Sequence, residues 1–179
     1  MPHVLFRAAA LAVLIVTLAL PAAGQRIVGT AQTGPAAGPI ILPNEGLFQA
    51  RFASVGDDLF IAGQPTEAAL RELSAKGVTT VVNLRMPEEM AKVGFDEAAL
   101  IKELGLAYVH IPMRGTKENP YAPSDLDRFA TTLASARGKV LLHCTVAWRA
   151  SHLWAAYLIQ YRKVPVTTAL TQARDQSSR

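Results

Sequence analysis

Between residues 66 and 161 the chain alternates segments of helical period with short apolar strands, and that alternation restricts the fold more than any single residue does. Thr66 is placed to cap a helix with Leu70 and Leu73 on one face, and Gly77 to end it. A strand is predicted over Val78–Leu84, a second helix within 88–104 closed by Gly105, and a strand over 106–111. A third helix is predicted from Ser124, striped by Leu126, Phe129, Ala130 and Leu133 and closed by Gly138. Residues 139–143 then read as a short buried strand, and Leu153, Trp154, Tyr157, Leu158 and Tyr161 stripe a further helix. Ahead of these, Phe48, Ala50 and Phe52 alternate, Gly56-Asp57-Asp58 offers a turn, and 59–62 is apolar, which suits a hairpin. Strands joined through helices run parallel, so the expectation is a single α/β domain with a mainly parallel central sheet flanked by helices.

The segment before that domain reads differently. Arg7 precedes an apolar run over 8–20, then Pro21-Ala22-Ala23-Gly24-Gln25, the pattern of a signal peptide over 1–24 cleaved before Gln25. Export to the periplasm or beyond is therefore expected, with membrane attachment only if the segment stays uncleaved. Residues 25–47, rich in Gly and Pro, are expected to be a leader or linker, and 48–176 the folded domain. With half its residues apolar and 18% charged, the chain is no disordered polyelectrolyte. Its single cysteine excludes a disulfide scaffold and multi-cysteine metal sites, and His110, His143 and His152 lack metal-ligand spacing, so no cofactor is expected. A net charge of +4 without a basic stripe gives no reason to expect nucleic-acid binding.

In parallel sheets chemistry gathers beyond the carboxyl ends of the strands, which directs attention to the loops after Leu84, Ile111 and His143. The last of these runs His143-Cys144-Thr145-Val146-Ala147-Trp148-Arg149-Ala150-Ser151 straight into a helix. Backbone amides at such a turn, the helix dipole and a guanidinium all favour a tetrahedral oxyanion. The same field favours thiolate over thiol, making Cys144 a candidate nucleophile. A small buried hydrophobe is the alternative role for Cys144, but an idle thiol in an oxidising compartment is a liability.

Two blocks, Leu59-Phe-Ile-Ala-Gly-Gln-Pro-Thr66 through Val78-Thr-Thr-Val-Val-Asn-Leu-Arg85, and His143-Cys144 followed by Arg149, resemble the bacterial phosphatase-like branch of the dual-specificity protein tyrosine phosphatase superfamily. The likeness covers roughly residues 48–165. It implies a cysteine-phosphatase-like fold and a metal-free cysteinyl-phosphate mechanism acting on a phosphorylated protein or small molecule. Cys144 would attack, while Arg149 and the loop formed by Thr145, Val146, Ala147, Trp148, Ala150 and Ser151 would hold the phosphate. His143 would orient the loop, and the Ser151 hydroxyl would assist the second step. The superfamily usually supplies an aspartate after the strand ending here at Ile111; loop 112–122 has none, which leaves Glu118 as its carboxylate and candidate general acid. Asp125 and Asp127 are read as serving a helix start, in a capping box Ser124-x-x-Asp127, and Arg85 with Glu88 or Glu89 as a structural pair.

The chain also departs from the superfamily pattern, which separates Cys from Arg by five residues; here only Thr145-Val-Ala-Trp148 intervene, as also occurs in the bacterial branch. The loop has no glycine, so any position needing φ > 0 would fall on a residue such as Ala147 or Trp148. Two other functions fit this spacing: a rhodanese-like sulfurtransferase, whose active loop has the same length, and a silent module that binds phosphate without turnover.

Overall fold

The computed structural model describes residues 46–178; the expected signal peptide over 1–24 and the leader through residue 45 lie outside the described residues. An antiparallel hairpin comes first, β1 (Phe52–Val55) and β2 (Leu59–Ala62), turning through Gly56 at φ +63°. Then follow α1 (Glu67–Ala75), β3 (Val78–Asn83), α2 (Pro87–Met90), α3 (Glu97–Glu103) and β4 (Ala107–His110). The chain continues through α4 (Pro123–Ser135), β5 (Lys139–His143), α5 (Trp148–Gln160) and α6 (Val166–Ser178). The strands form one sheet in the order β1-β2-β5-β3-β4, parallel throughout except for the hairpin pair.

Because successive strand residues face opposite sides, the apolar runs of β2, β3 and β5 supply two cores at once. Phe60, Val81 and Leu141 face one side, where they pack with Phe52, Leu70, Leu73, Leu100 and Ile101 and so fasten α1 and α3. Ile61, Val82 and Leu142 face the other, with Phe129 of α4 and Ala150 and Leu153 of α5. The Thr66 side chain caps α1 by accepting from the Ala69 amide at 3.2 Å, as the sequence predicts.

Two local expectations are corrected, and one helix goes unanticipated. The single helix expected within 88–104 is two, because Asp96 restarts the chain as a new N-cap, its carboxylate taking the Ala99 amide at 3.0 Å. Helix α4 begins at Pro123 with Ala122 as its N-cap and no side-chain cap, so the Ser124–Asp127 capping box does not form. Proline suits the first helical position because it lacks the N–H that would go unpaired there. Helix α6 was not marked by periodicity, since its buried positions are the small residues Ala169 and Ala173.

Candidate active site

The carboxyl ends of β2, β5 and β3 lie side by side, and backbone bonds tie together the loops that leave them. The Leu84 amide donates to the His143 carbonyl at 3.0 Å, the Gln64 amide to Thr145 at 3.0 Å, and the Met113 amide to Leu84 at 3.2 Å. Gly63 allows the closest approach: a Cβ there would stand 2.9 Å from the Thr145 carbonyl oxygen and 2.9 Å from the Ala50 nitrogen. Only glycine lets β2 run that near the loop after β5.

That loop places Cys144 against the α4–α5 side of the core, 1% exposed, and then enters α5 through Ala147 at φ +68°. The left-handed position anticipated from the missing glycine thus falls on Ala147, whose short side chain is fully buried. Ala147 offers no side-chain cap, so the amides of Trp148, Arg149 and Ala150, which open α5, have no acceptor in the helix or from its cap. An uncapped helix start next to a thiol is a site for an anion.

Arg149 is nine-tenths buried and held on its terminal edge. Its Nη1 donates to Glu89 Oε2 at 2.8 Å and to the Met113 carbonyl at 2.9 Å; its Nη2 donates to Glu89 Oε1 at 2.8 Å and to the Thr145 hydroxyl at 2.8 Å. Nε is engaged by none of these groups, and the Cys144 sulfur lies within hydrogen-bonding reach of the guanidinium. Burial works against the cation, but hydrogen bonds to Glu89 and Cys144 and electrostatic attraction to both raise its pKa above the ordinary arginine value. Glu89 also accepts from the Met86 amide at 2.8 Å and from the Thr145 hydroxyl at 3.0 Å, so both oxygens carry two donors. Against the opposing effect of burial, the bonds from Arg149, Met86 and Thr145 hold its carboxyl at about 2.

His143, fully buried, points away from Cys144 into the opposite face and meets a buried carboxylate, Glu97, its Nε2 lying 3.2 Å from Glu97 Oε1. Glu97 also accepts from Gln64 Nε2 at 2.6 Å and Asn83 Nδ2 at 2.8 Å, and Gln64 Oε1 in turn accepts from Arg85 Nη1 at 2.6 Å. Burial would push the Glu97 carboxyl up, yet the His143 charge and the hydrogen bonds from His143, Gln64 and Asn83 hold it below the ordinary carboxylate value. The network joins β2, β3, α3 and β5 directly behind the loop. Arg85 therefore does not pair with Glu88 or Glu89 as expected; it bonds Gln64 and the Glu89 carbonyl, because Glu88 is taken by Arg114 at 2.6 Å and the Glu89 carboxylate by Arg149.

The structure sorts the sequence-derived candidates into two groups. Cys144, Arg149, Thr145 and the backbone of 147–150 converge, with Val146 and Trp148 projecting to the surface at 48% and 59% exposure. Ala150 and Ser151 turn inward, and the Ser151 hydroxyl donates to the Ala147 carbonyl at 3.0 Å. Glu118 is exposed near the tip of loop 112–122, where the Gly115 amide closes a turn on the Asn119 carbonyl at 2.8 Å. In the same loop, burial raises the phenol pKa of Tyr121, Arg149 works against that rise and Cys144 adds to it. Sequence reasoning passed over Glu97 and Tyr121 and assigned Glu89 elsewhere. The only signal for Glu97 was its position in the first turn of a helix, which reads as an exposed dipole partner.

The model of the beta-lactamase hydrolase-like protein, phosphatase-like domain, matches residues 51–160. A curated beta-lactamase hydrolase-like protein of Xylella fastidiosa (strain 9a5c) is 33% identical over 107 residues, 59% of this chain and 24% of that protein, so the chain spans about a quarter of that relative's length. Among solved structures, a DUF442 protein of Shewanella putrefaciens CN-32 superposes with a TM-score of 0.56 at 28% identity, over 70% of this chain and 79% of that one. TpbA of P. aeruginosa superposes with a TM-score of 0.58 over 78% of this chain and 79% of its own, and at 18% identity that likeness is one of fold.

Proposed function

This chain belongs to the phosphatase-like domain family of the beta-lactamase hydrolase-like proteins, and from that premise we propose that it hydrolyses phosphate monoesters through Cys144, as tyrosine and dual-specificity phosphatases do. One observation carries the reading: Cys144 and Arg149 share one strand-loop-helix turn, and Glu89 holds the guanidinium by its terminal edge while the Cys144 sulfur interacts with the same cation. A phosphoryl group above the loop would meet the amides of 148–150 and Nε of Arg149. It would also compete with the Thr145 hydroxyl for Nη2.

In the first step the Cys144 sulfur bonds to phosphorus as the ester P–O bond breaks, and the leaving oxygen takes a proton. Glu118 is the proposed donor, brought in by closure of loop 112–122. Water then attacks phosphorus and passes a proton to the Glu118 carboxylate, the S–P bond breaks, and phosphate leaves with the thiolate restored. The Glu97–His143 pair acts in this scheme through the backbone, by holding the strand end that carries Cys144. A phosphorylated protein or small molecule is the proposed substrate; TpbA of P. aeruginosa, which shares the fold, has been solved with phosphotyrosine after its cysteine was changed to serine. Export is proposed from the apolar run over 8–20, and N-terminal sequencing of protein recovered from the periplasm should begin at Gln25.

A second reading, a module that binds phosphate without turning it over, draws on the terminal nitrogens of Arg149 being committed to protein acceptors and on the absence of aspartate from loop 112–122. Hydrolysis of an aryl phosphate under reducing conditions separates the two, run beside Cys144→Ser and with thiosulfate as a control for sulfur transfer. Phosphate release that disappears in Cys144→Ser supports the phosphatase. Release that persists in that variant would overturn the covalent mechanism, and vanadate binding without release would favour the silent module.

A further inference from the structure

Resting on that reading of the Cys144 site, we infer that the substrate is a phosphate monoester with an apolar body, which lies in a slot lined by Met113, Tyr121, Leu126, His152, Leu153 and Ala156. The slot has a volume of about 240 Å³, below the range of a complete ligand pocket and suited to a subsite.

Two walls join it to the catalytic loop. The Met113 carbonyl accepts from Arg149 Nη1 at 2.9 Å, and the Tyr121 phenol lies within the electrostatic reach of both Cys144 and Arg149. On the far wall, the His152 ring packs against Trp148 with centroids 4.7 Å apart. The exposed apolar side chains point the same way. Tyr121 and Trp148 are each half or more exposed, Tyr121 lining the slot and Trp148 packing on the His152 that lines it. Single exposed apolar residues are ordinary, but exposed aromatics set against the lining of one slot mark a surface that a ligand covers.

Charge argues against a polyanionic body. Asp125 stands on the slot wall, and Arg114, on the framing loop, is tied to Glu88 at 2.6 Å. Neither arrangement favours a second phosphate.

The test compares binding of orthovanadate, methylphosphonate and 2-naphthylmethylphosphonate to the full chain and to Ala156→Leu, whose added side chain fills the slot. Naphthyl is expected to bind on the order of 30-fold more tightly than methyl, the gain from the slot burying about two to three CH₂ equivalents of the ring at about fourfold each. Ala156→Leu should lose that advantage and keep its vanadate affinity, which also reports that the variant is folded. Equal binding of the two phosphonates to the wild-type chain, with vanadate still bound, overturns the slot and leaves the oxyanion site standing. An advantage that survives Ala156→Leu places the apolar body elsewhere and overturns it too. Loss of vanadate binding by the wild-type chain overturns the reading on which the slot rests.

Discussion

Replacing Glu97 by alanine is expected to cost about 3 kcal/mol or more of folding stability, because of what the carboxylate satisfies. Oε2 accepts from Gln64 at 2.6 Å, while Oε1 accepts from Asn83 at 2.8 Å and faces His143 at 3.2 Å, all out of contact with water. A stranded buried donor costs about 1–3 kcal/mol. Two of the three are cushioned: Gln64 Nε2 keeps the Pro65 carbonyl at 3.1 Å and Asn83 Nδ2 keeps the Tyr108 hydroxyl at 2.9 Å. His143 has no such reserve, since its Nδ1 is already without a partner, and it would be left buried with neither nitrogen bonded. Glutamine at 97 should cost less, about 1.5 kcal/mol, because its oxygen can keep Asn83 and His143 while its amide faces the Gln64 donor. Gln64 cannot flip to accommodate it without losing Arg85, which donates to its Oε1 at 2.6 Å.

The pH dependence of the alanine effect has a definite sign. The Glu97 carboxyl is depressed in the folded protein, so its contribution is present above the ordinary carboxylate value of 4.5 and is lost as pH falls below it. Urea unfolding followed by tryptophan fluorescence at pH 7 and again below pH 4 measures both effects. A cost for Glu97→Ala under about 1 kcal/mol at pH 7, or one no larger than that of Glu97→Gln, would refute the three-donor argument. So would a cost that fails to shrink in acid.

Three further outcomes are expected. Ala147→Val should lose about 2 kcal/mol or more, since a β-branched residue must adopt φ +68° in a fully buried position, whereas Ala147→Gly should stay within about 1 kcal/mol of wild type, relief of the backbone offsetting the lost methyl; thermal unfolding compares them. Glu89→Gln should lower vanadate affinity by removing half of the fork that orients Arg149. It should also flatten the fall in melting temperature between pH 4.5 and pH 2, where the wild-type carboxyl, held at about 2, loses its contribution as it protonates. Gly115→Ala should raise KM for an aryl phosphate more than it lowers kcat, because a Cβ there would stand 2.6 Å from the Tyr121 ring at a backbone φ of +75°, forcing that ring out of the slot wall.

The site owes its stiffness to side chains that never meet substrate in the proposed mechanism. Glu89 reaches Arg149 from the start of α2, and Glu97 reaches His143 from the start of α3, so each half of the Cys144 loop is held by a carboxylate from the same connection between β3 and β4. The short helix α2 and the restart at Asp96 place the two carboxylates at different depths. Such support keeps a guanidinium oriented without using its Nε edge.

Much of this was legible in the chain. Apolar runs bounded by Gly and capping residues located β2 to β5 and helices α1, α4 and α5, because burial on a sheet face or helix stripe leaves a period in the sequence, whereas β1 begins at Phe52, where the expected alternation from Phe48 ends. The spacing of His143, Cys144 and Arg149 directly before a helical stripe marked the anion-binding turn, and the missing glycine marked where a left-handed residue would have to stand. Hydrogen-bond partners across the sheet leave no such period. Arg85 has Glu88 and Glu89 within four residues, yet its guanidinium goes to Gln64, and those carboxylates to Arg114 and Arg149. Glu97 looks like any acidic residue in a helical first turn, and only the placement of α3 against β4 and α1 makes it a buried partner of His143. Sequence by itself therefore determined the layers, the strand order's parallel character and the chemistry-bearing loop, which depend on local period and capping. Tertiary structure alone decided which charges meet, because a side chain's partner is set by which strands lie side by side and which loops their ends bring together.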